Sequence, residues 1–165
     1  MKKPFFLALA LGLALLAPSC KTKDQFASGM DGDFVDGVPL PERTDGASYL
    51  GGGVSKGQFS PVQFGFDSFE VSGAEIGKVQ AVADFMRSSK QNVIIAGFTD
   101  ERGTEEYNRG LGERRALAVR EKLIGMGIGG GRVQTVSFGE EMPVSSGGGE
   151  AAWAANRRAE FGLIR

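Results

Sequence analysis

Histidine is absent from this 165-residue chain, and cysteine and tryptophan each occur once. Without histidine there is no Ser-His or Cys-His pair for nucleophilic catalysis and no imidazole to bind a metal. The lone Cys20 excludes an intramolecular disulfide. Neither sign of charge is in excess: 19 Lys and Arg face 20 Asp and Glu, a net charge of -1. No basic stripe or aromatic platform marks a nucleic-acid binder. Glycine is plentiful, yet there is no G-K-[S/T] and no G-x-G-x-x-G opening a helix, so a phosphate cradle is not indicated. No apolar run reaches the eighteen or so residues that a spanning helix needs.

The first twenty residues are organised differently. Lys2 and Lys3 precede an apolar run from Phe5 to Ala17 that ends in small residues. This is the pattern of an export leader, expected over residues 1–19, and it makes the chain a secreted one. Cys20 follows directly. Two readings are open: a lipobox whose cysteine becomes the acylated N-terminus, or ordinary cleavage that leaves a free thiol. Ala17-Pro18-Ser19 lacks the usual Leu three residues before the cysteine, Leu16 lying one place too early. Loss of Lys2 and Lys3 with the leader takes the net charge from -1 to -3.

From Cys20 to residue 56 the composition favours a linker. Lys21 to Gly57 holds eight glycines, Pro39 and Pro41, with isolated apolar residues at neither helical nor strand spacing. As coil, such a segment spans on the order of 30 Å and at full extension about 120 Å. The linker could reach from a membrane surface to a nearby layer, or fold back onto the domain.

Residues 57–165 suffice for one domain with one core. The sequence predicts a first strand from Val62 to Asp67, then a capping box at Ser72-Gly73-Ala74-Glu75 opening a helix with Ile76, Val79, Ala83 and Met86 on its apolar face. Asn92 to Thr99 reads as a second strand. A second helix opens at Thr104 or Glu105 and stops near Gly125 and Gly127. Arg132 to Phe138 is a third strand, Glu150 to Asn156 a short helix and Ala159 to Ile164 a last strand. Gly103 and the triplet Gly129 to Gly131 stand where positive φ is expected, and Ser145 to Gly149 reads as a surface loop. Strands alternating with helices imply helices packed on a sheet.

The segment Ala96 to Ala116, A-G-F-T-D-E-R-G-T-E-E-Y-N-R-G-L-G-E-R-R-A, carries the functional information. Leu111, Arg115, Val119 and Leu123 form one i, i+4 row, so a guanidinium interrupts a buried face. Asn108 points the same way two turns earlier. A buried guanidinium is costly without compensation. Arg115 either snorkels or pairs with a local carboxylate such as Glu113 or Glu121, or it awaits a ligand. Asp100 ends the strand that precedes this helix, and open sheets place ligands at the carboxyl ends of strands.

The stretch T-D-E-R-G-T-E-E-Y-N-R-G-L-G-E-R-R-A resembles the signature of OmpA-like peptidoglycan-binding domains, among them the lipid-anchored members that work with the Tol system. V-Q-F-G-F-D-S-F-E-V (Val62 to Val71), V-S-F-G-E-E-M-P-V (Val136 to Val144) and E-A-A-W-A-A-N-R-R-A-E-F (Glu150 to Phe161) are similar to the family's other segments, in the same order. The resemblance implies an α+β fold: a two-layer βαβαβ(α)β domain with a mixed four-stranded sheet and helices on one side. It implies no enzymatic activity, no cofactor and no metal. Its ligand would be peptidoglycan, gripped at the diaminopimelate terminus of the stem peptide. Arg115 would take the carboxylate and Asp100 the ammonium, with Thr99, Asn108 and Asp67 as further contacts. Phe98 stands where relatives commonly have His, implying a lost imidazole contact, and Gly65 replaces an acidic residue. Asn156-Arg157-Arg158 is expected to be mainly structural. Implied partners are the outer membrane through lipid on Cys20, and the Tol proteins, especially the propeller protein TolB.

Two other classes compete. Asp67 and Asp100 could act as an acid and base pair on a glycan, and a scaffold of the same fold could bind protein partners without peptidoglycan. Replacing Cys20 with Ala tests the anchor: the variant is expected to leave the membrane fraction, and unchanged retention would rule lipidation out.

Overall fold

The computed structural model describes residues 46–165, together with the backbone of 34–35 and 38–39. The expected leader, Cys20 and the rest of the linker lie outside the described residues. In chain order the elements are β1 (Phe34–Val35), β2 (Val38–Pro39), α1 (Gly46–Leu50), β3 (Val54–Lys56), β4 (Val62–Gln63), α2 (Ile76–Ser88), β5 (Asn92–Phe98), α3 (Glu105–Gly125), β6 (Val133–Gly139), α4 (Glu150–Asn156) and β7 (Arg158–Ile164). A single 3-10 turn, Gly130–Arg132, leads into β6.

β1 and β2 pair antiparallel with each other. The main sheet has five strands in the order β3-β7-β5-β6, with β4 also paired to β7. β5 and β6 run parallel, whereas β7 is antiparallel to β3, β4 and β5. Both faces of β5 are covered, and its residues after Asn92 are all buried. Such a strand reads as a continuous apolar run rather than an alternating one.

On one face, Val79, Val82, Ala83 and Met86 of α2 and Ala116, Val119 and Leu123 of α3 pack on Val93, Ile95, Val133, Phe161 and Leu163. On the other, Tyr49 of α1 joins Ile94, Ala96, Phe98, Val136 and Phe138. α3 starts where Thr104 accepts a hydrogen bond from Tyr107 N–H, with Glu105 and Glu106 in its first turn, where the helix dipole favours acids. It ends on Gly127 at φ 89, while Ile128 N–H reaches back to the Leu123 carbonyl.

Four expectations need correction. The sheet has five strands because β3 comes from the end of the expected linker, and α1, from the same stretch, lies opposite α2 and α3. Tyr49 is the reason: its ring lies 5.5 Å from that of Phe138 and its hydroxyl donates to Glu160 at 2.8 Å. Burial, with Glu160 beside it, pushes the Tyr49 phenol well above its usual pKa. The first strand stops at Gln63, since the carbonyls of Gly65 and Ser68 turn away to the Arg115 guanidinium. The capping box does not form. Glu75 instead accepts from Gln63 N–H at 2.7 Å and Lys78 Nζ at 2.8 Å, tying α2 to β4. Finally, positive φ falls at Gly103, as expected, and at Gly127 rather than in the triplet that follows.

Tyr49→Ala should cost about 3 kcal/mol through the cavity it leaves, read as a lower denaturation midpoint. An unchanged midpoint would show that α1 adds nothing to the domain.

Candidate functional site

β5 and α3 approach so closely at Gly97 and Gly112 that a Cβ on Gly97 would fall 1.9 Å from the Gly112 carbonyl oxygen. Only glycine permits that approach. It sets the end of β5, with Thr99 and Asp100, against the first half of α3, with Asn108, Leu111 and Arg115. The loop after β4 brings Phe66 and Asp67 to the same place. Together with Arg102, Gly103 and Tyr107 these residues enclose a cavity of about 210 Å³. All five expected site residues, Asp67, Thr99, Asp100, Asn108 and Arg115, line it. The volume suits an amino-acid-sized group rather than a length of glycan.

Arg115 is fully buried. Its guanidinium donates to three backbone carbonyls: Nε to Ser68 at 2.8 Å, Nη1 to Phe98 at 2.7 Å and Nη2 to Gly65 at 3.1 Å. Neither Glu113 nor Glu121 is among these partners. A guanidinium has five N–H groups, so one on each terminal nitrogen is left over. Burial pushes the Arg115 pKa down to about 10, partly offset by attraction to Asp100, so the side chain stays charged at neutral pH.

Asp100 is buried and already engaged. Oδ1 accepts from Arg102 N–H at 3.1 Å and Nε at 3.0 Å; Oδ2 accepts from Arg102 Nη2 at 2.7 Å and Arg157 Nη1 at 3.3 Å. Burial alone would raise its pKa, but the hydrogen bonds from Arg102 and Arg157 outweigh it and hold the carboxyl below its usual value. It therefore remains ionised well into acid.

Thr99 donates its backbone N–H to the Gly139 carbonyl at 2.8 Å. Its hydroxyl is the one buried side-chain polar atom without a hydrogen-bond partner among the described residues. Asn108 Nδ2 donates to the Arg102 carbonyl at 3.2 Å and to the Glu140 carboxylate. Asp67, at φ 51, accepts from the Tyr107 hydroxyl. Among the described residues no three His, Cys, Asp or Glu converge as metal ligands would.

Phe98 lies outside the cavity. Adjacent strand residues face opposite ways, and its ring stacks on Phe138 at 5.5 Å and beneath Arg158 at 3.9 Å on the far side of the sheet. A side chain there makes no cavity contact, which corrects the expectation of a lost one. Of Asn156-Arg157-Arg158, Asn156 ties down Val144 and Ser145, and Arg158 pairs with Glu160. Arg157, expected to be structural, reaches the site through Asp100. Arg102, Tyr107 and Phe66 were missed as site residues; the nearness of Arg102 to Asp100 in a tight turn was the available signal.

Residues 63–157 match the model of the OmpA family. The chain belongs to that family. Within it, the chain is similar to peptidoglycan-associated lipoproteins: 42% identical to that of Haemophilus influenzae over 70% of this chain and 78% of the relative, and 37% identical to that of Pseudomonas aeruginosa over 94% of each. The crystal structure of the peptidoglycan-associated lipoprotein from Burkholderia pseudomallei superposes with a TM-score of 0.60 at 44% identity, covering 63% of this chain and 87% of that one. These names describe lipoproteins and not enzymes, in line with the noncatalytic reading.

Arg115→Met would take their donor from the buried Phe98 carbonyl and the part-buried Gly65 and Ser68 carbonyls and should cost about 2 to 4 kcal/mol, seen as a lower urea midpoint. A midpoint within about 0.5 kcal/mol of the parent would show that the guanidinium does not brace the fold.

Proposed function

We propose that the chain is an outer-membrane lipoprotein that binds peptidoglycan non-covalently through diaminopimelate and so tethers the outer membrane to the wall. It would support envelope integrity and division as part of a Tol-Pal system. The observation that carries this reading is the set of unused groups in one small cavity. A charged, buried Arg115 with two N–H groups beyond its three hydrogen bonds, the unpartnered Thr99 hydroxyl and the Asp100 carboxylate all belong to residues that line one space.

That set matches a centre carrying both an ammonium and a carboxylate. The Arg115 fork takes the carboxylate bidentately, Asp100 takes the ammonium, and Thr99 and Asn108 contribute polar contacts. Asp67 stands at the rim with Tyr107. A stem peptide with lysine in place of diaminopimelate has no carboxylate beside its side-chain ammonium to offer Arg115, so the site should discriminate between wall types. The names of the relatives support association with peptidoglycan and a lipid anchor. Tol proteins, TolB among them, are the proposed protein partners. The exposed Phe66, Phe69 and Tyr107 favour a second reading, a scaffold that binds protein through this face and not peptidoglycan.

Cosedimentation of the chain, without its leader, with diaminopimelate-type and lysine-type peptidoglycan separates the two. The parent is expected to bind the first and not the second. Asp100→Asn should weaken binding about tenfold or more, and Thr99→Val about fivefold with no loss of thermal stability, since it removes an unsatisfied hydroxyl. A folded parent that ignores both walls would leave the scaffold reading.

A further inference from the structure

The carboxylate assigned to the ligand ammonium has no room for one. A carboxylate offers about four acceptor positions, and Asp100 fills them with three donors from Arg102 and one from Arg157. An entering ammonium must displace one of these residues. Arg157 is held on every side: it also donates to the Phe64 carbonyl at 3.1 Å and to Glu150 at 2.6 Å, and its side chain is 7% exposed. Arg102 is 30% exposed. Its side-chain hydrogen bonds go to Asp100, and otherwise the guanidinium rests 4.1 Å from the centres of the Phe66 and Trp153 rings. Phe66 is itself largely exposed. Arg102 can therefore swing outward with Asp100 as the one buried group its side-chain hydrogen bonds release, and that is the group the ammonium would take.

We infer that Arg102 is the specificity-determining residue of this site, an internal cation that occupies the ammonium position at Asp100 and yields it only to a ligand that also satisfies Arg115. The inference rests on the reading of the cavity as a diaminopimelate site. A lone ammonium gains at Asp100 only what the displaced guanidinium gives up, so it has no net advantage. A lone carboxylate meets Arg115 but leaves Arg102 in place. A group with both charges gains the Arg115 fork in addition to the exchange at Asp100, and that surplus drives binding. The aromatic rings give the displaced guanidinium a surface along which to move, which lowers the cost of the exchange.

Calorimetric titration with the stem tripeptides ending in meso-diaminopimelate and in L-lysine tests this on the parent chain, Arg102→Met and Arg102→Lys. The Met variant should bind the diaminopimelate peptide roughly three- to fivefold more tightly, the scale of a half-exposed ion pair removed from competition. It should also bind the lysine peptide measurably where the parent does not. Arg102→Lys, which keeps the charge but loses the two-point contact, should move the same way by less; it supplies the answer if the Met variant fails to fold. Equal or weaker binding of the diaminopimelate peptide by a folded variant, beside a parent that binds, would overturn the inference and leave the peptidoglycan reading standing. No binding by any of the three proteins would overturn both.

Discussion

The buried guanidinium of Arg115 is the constraint on which the domain is organised. Its three hydrogen bonds collect carbonyls from the loop after β4 and from the end of β5 onto α3, segments that are far apart along the chain. A cation in that position would be prohibitively placed without such dipoles. With them it is satisfied and stays charged, and the cost appears elsewhere, in a first strand cut to two residues and a backbone turned to positive φ at Asp67. The same bonds build the wall of the cavity. The fold and the cavity wall thus draw on one side chain, and a variant at Arg115 changes both at once.

Asp100 shows the complementary arrangement. Its charged hydrogen-bond partners are Arg102 and Arg157, with Arg115 more distant. Asp67 and Glu140 are engaged by Tyr107 and Asn108 at the edges of the cavity, and Glu150 pairs with Arg157, so the charges around Asp100 are matched within the protein.

What could be read beforehand was local. The i, i+4 row of α3 placed Leu111, Arg115, Val119 and Leu123 inside, and all four are buried. The bounds of α4 were met residue for residue, because an alanine-rich run follows directly on the glycines at 147 to 149. The five site residues came from motif and strand-end position, and the cavity brings them together. What escaped notice depends on backbone. Carbonyls of Gly65, Ser68 and Phe98 bond Arg115 regardless of side-chain identity, so no pattern announces them. The contact of Gly97 with Gly112 joins residues fifteen apart whose shared property is the lack of a Cβ, and α1 was hidden because glycines surround its buried aromatic, Tyr49.

The linker-derived elements also decide how the domain meets mechanical force. β3 is parallel to β5, both being antiparallel to β7, and Val54 lies level with Asn92 through their shared partner Ile164. The start of β3 is therefore at the end of the sheet away from Asp100. A pull from the N-terminal side, against a hold at the other end, would draw the Tyr49 ring from its seat beside Phe138 before it reaches β3. The load then runs along β3, stressing its ladder with β7 in shear, where the bonds resist together instead of opening one after another. Tension is absorbed at the sheet edge, remote from the helix and strand that shape the cavity.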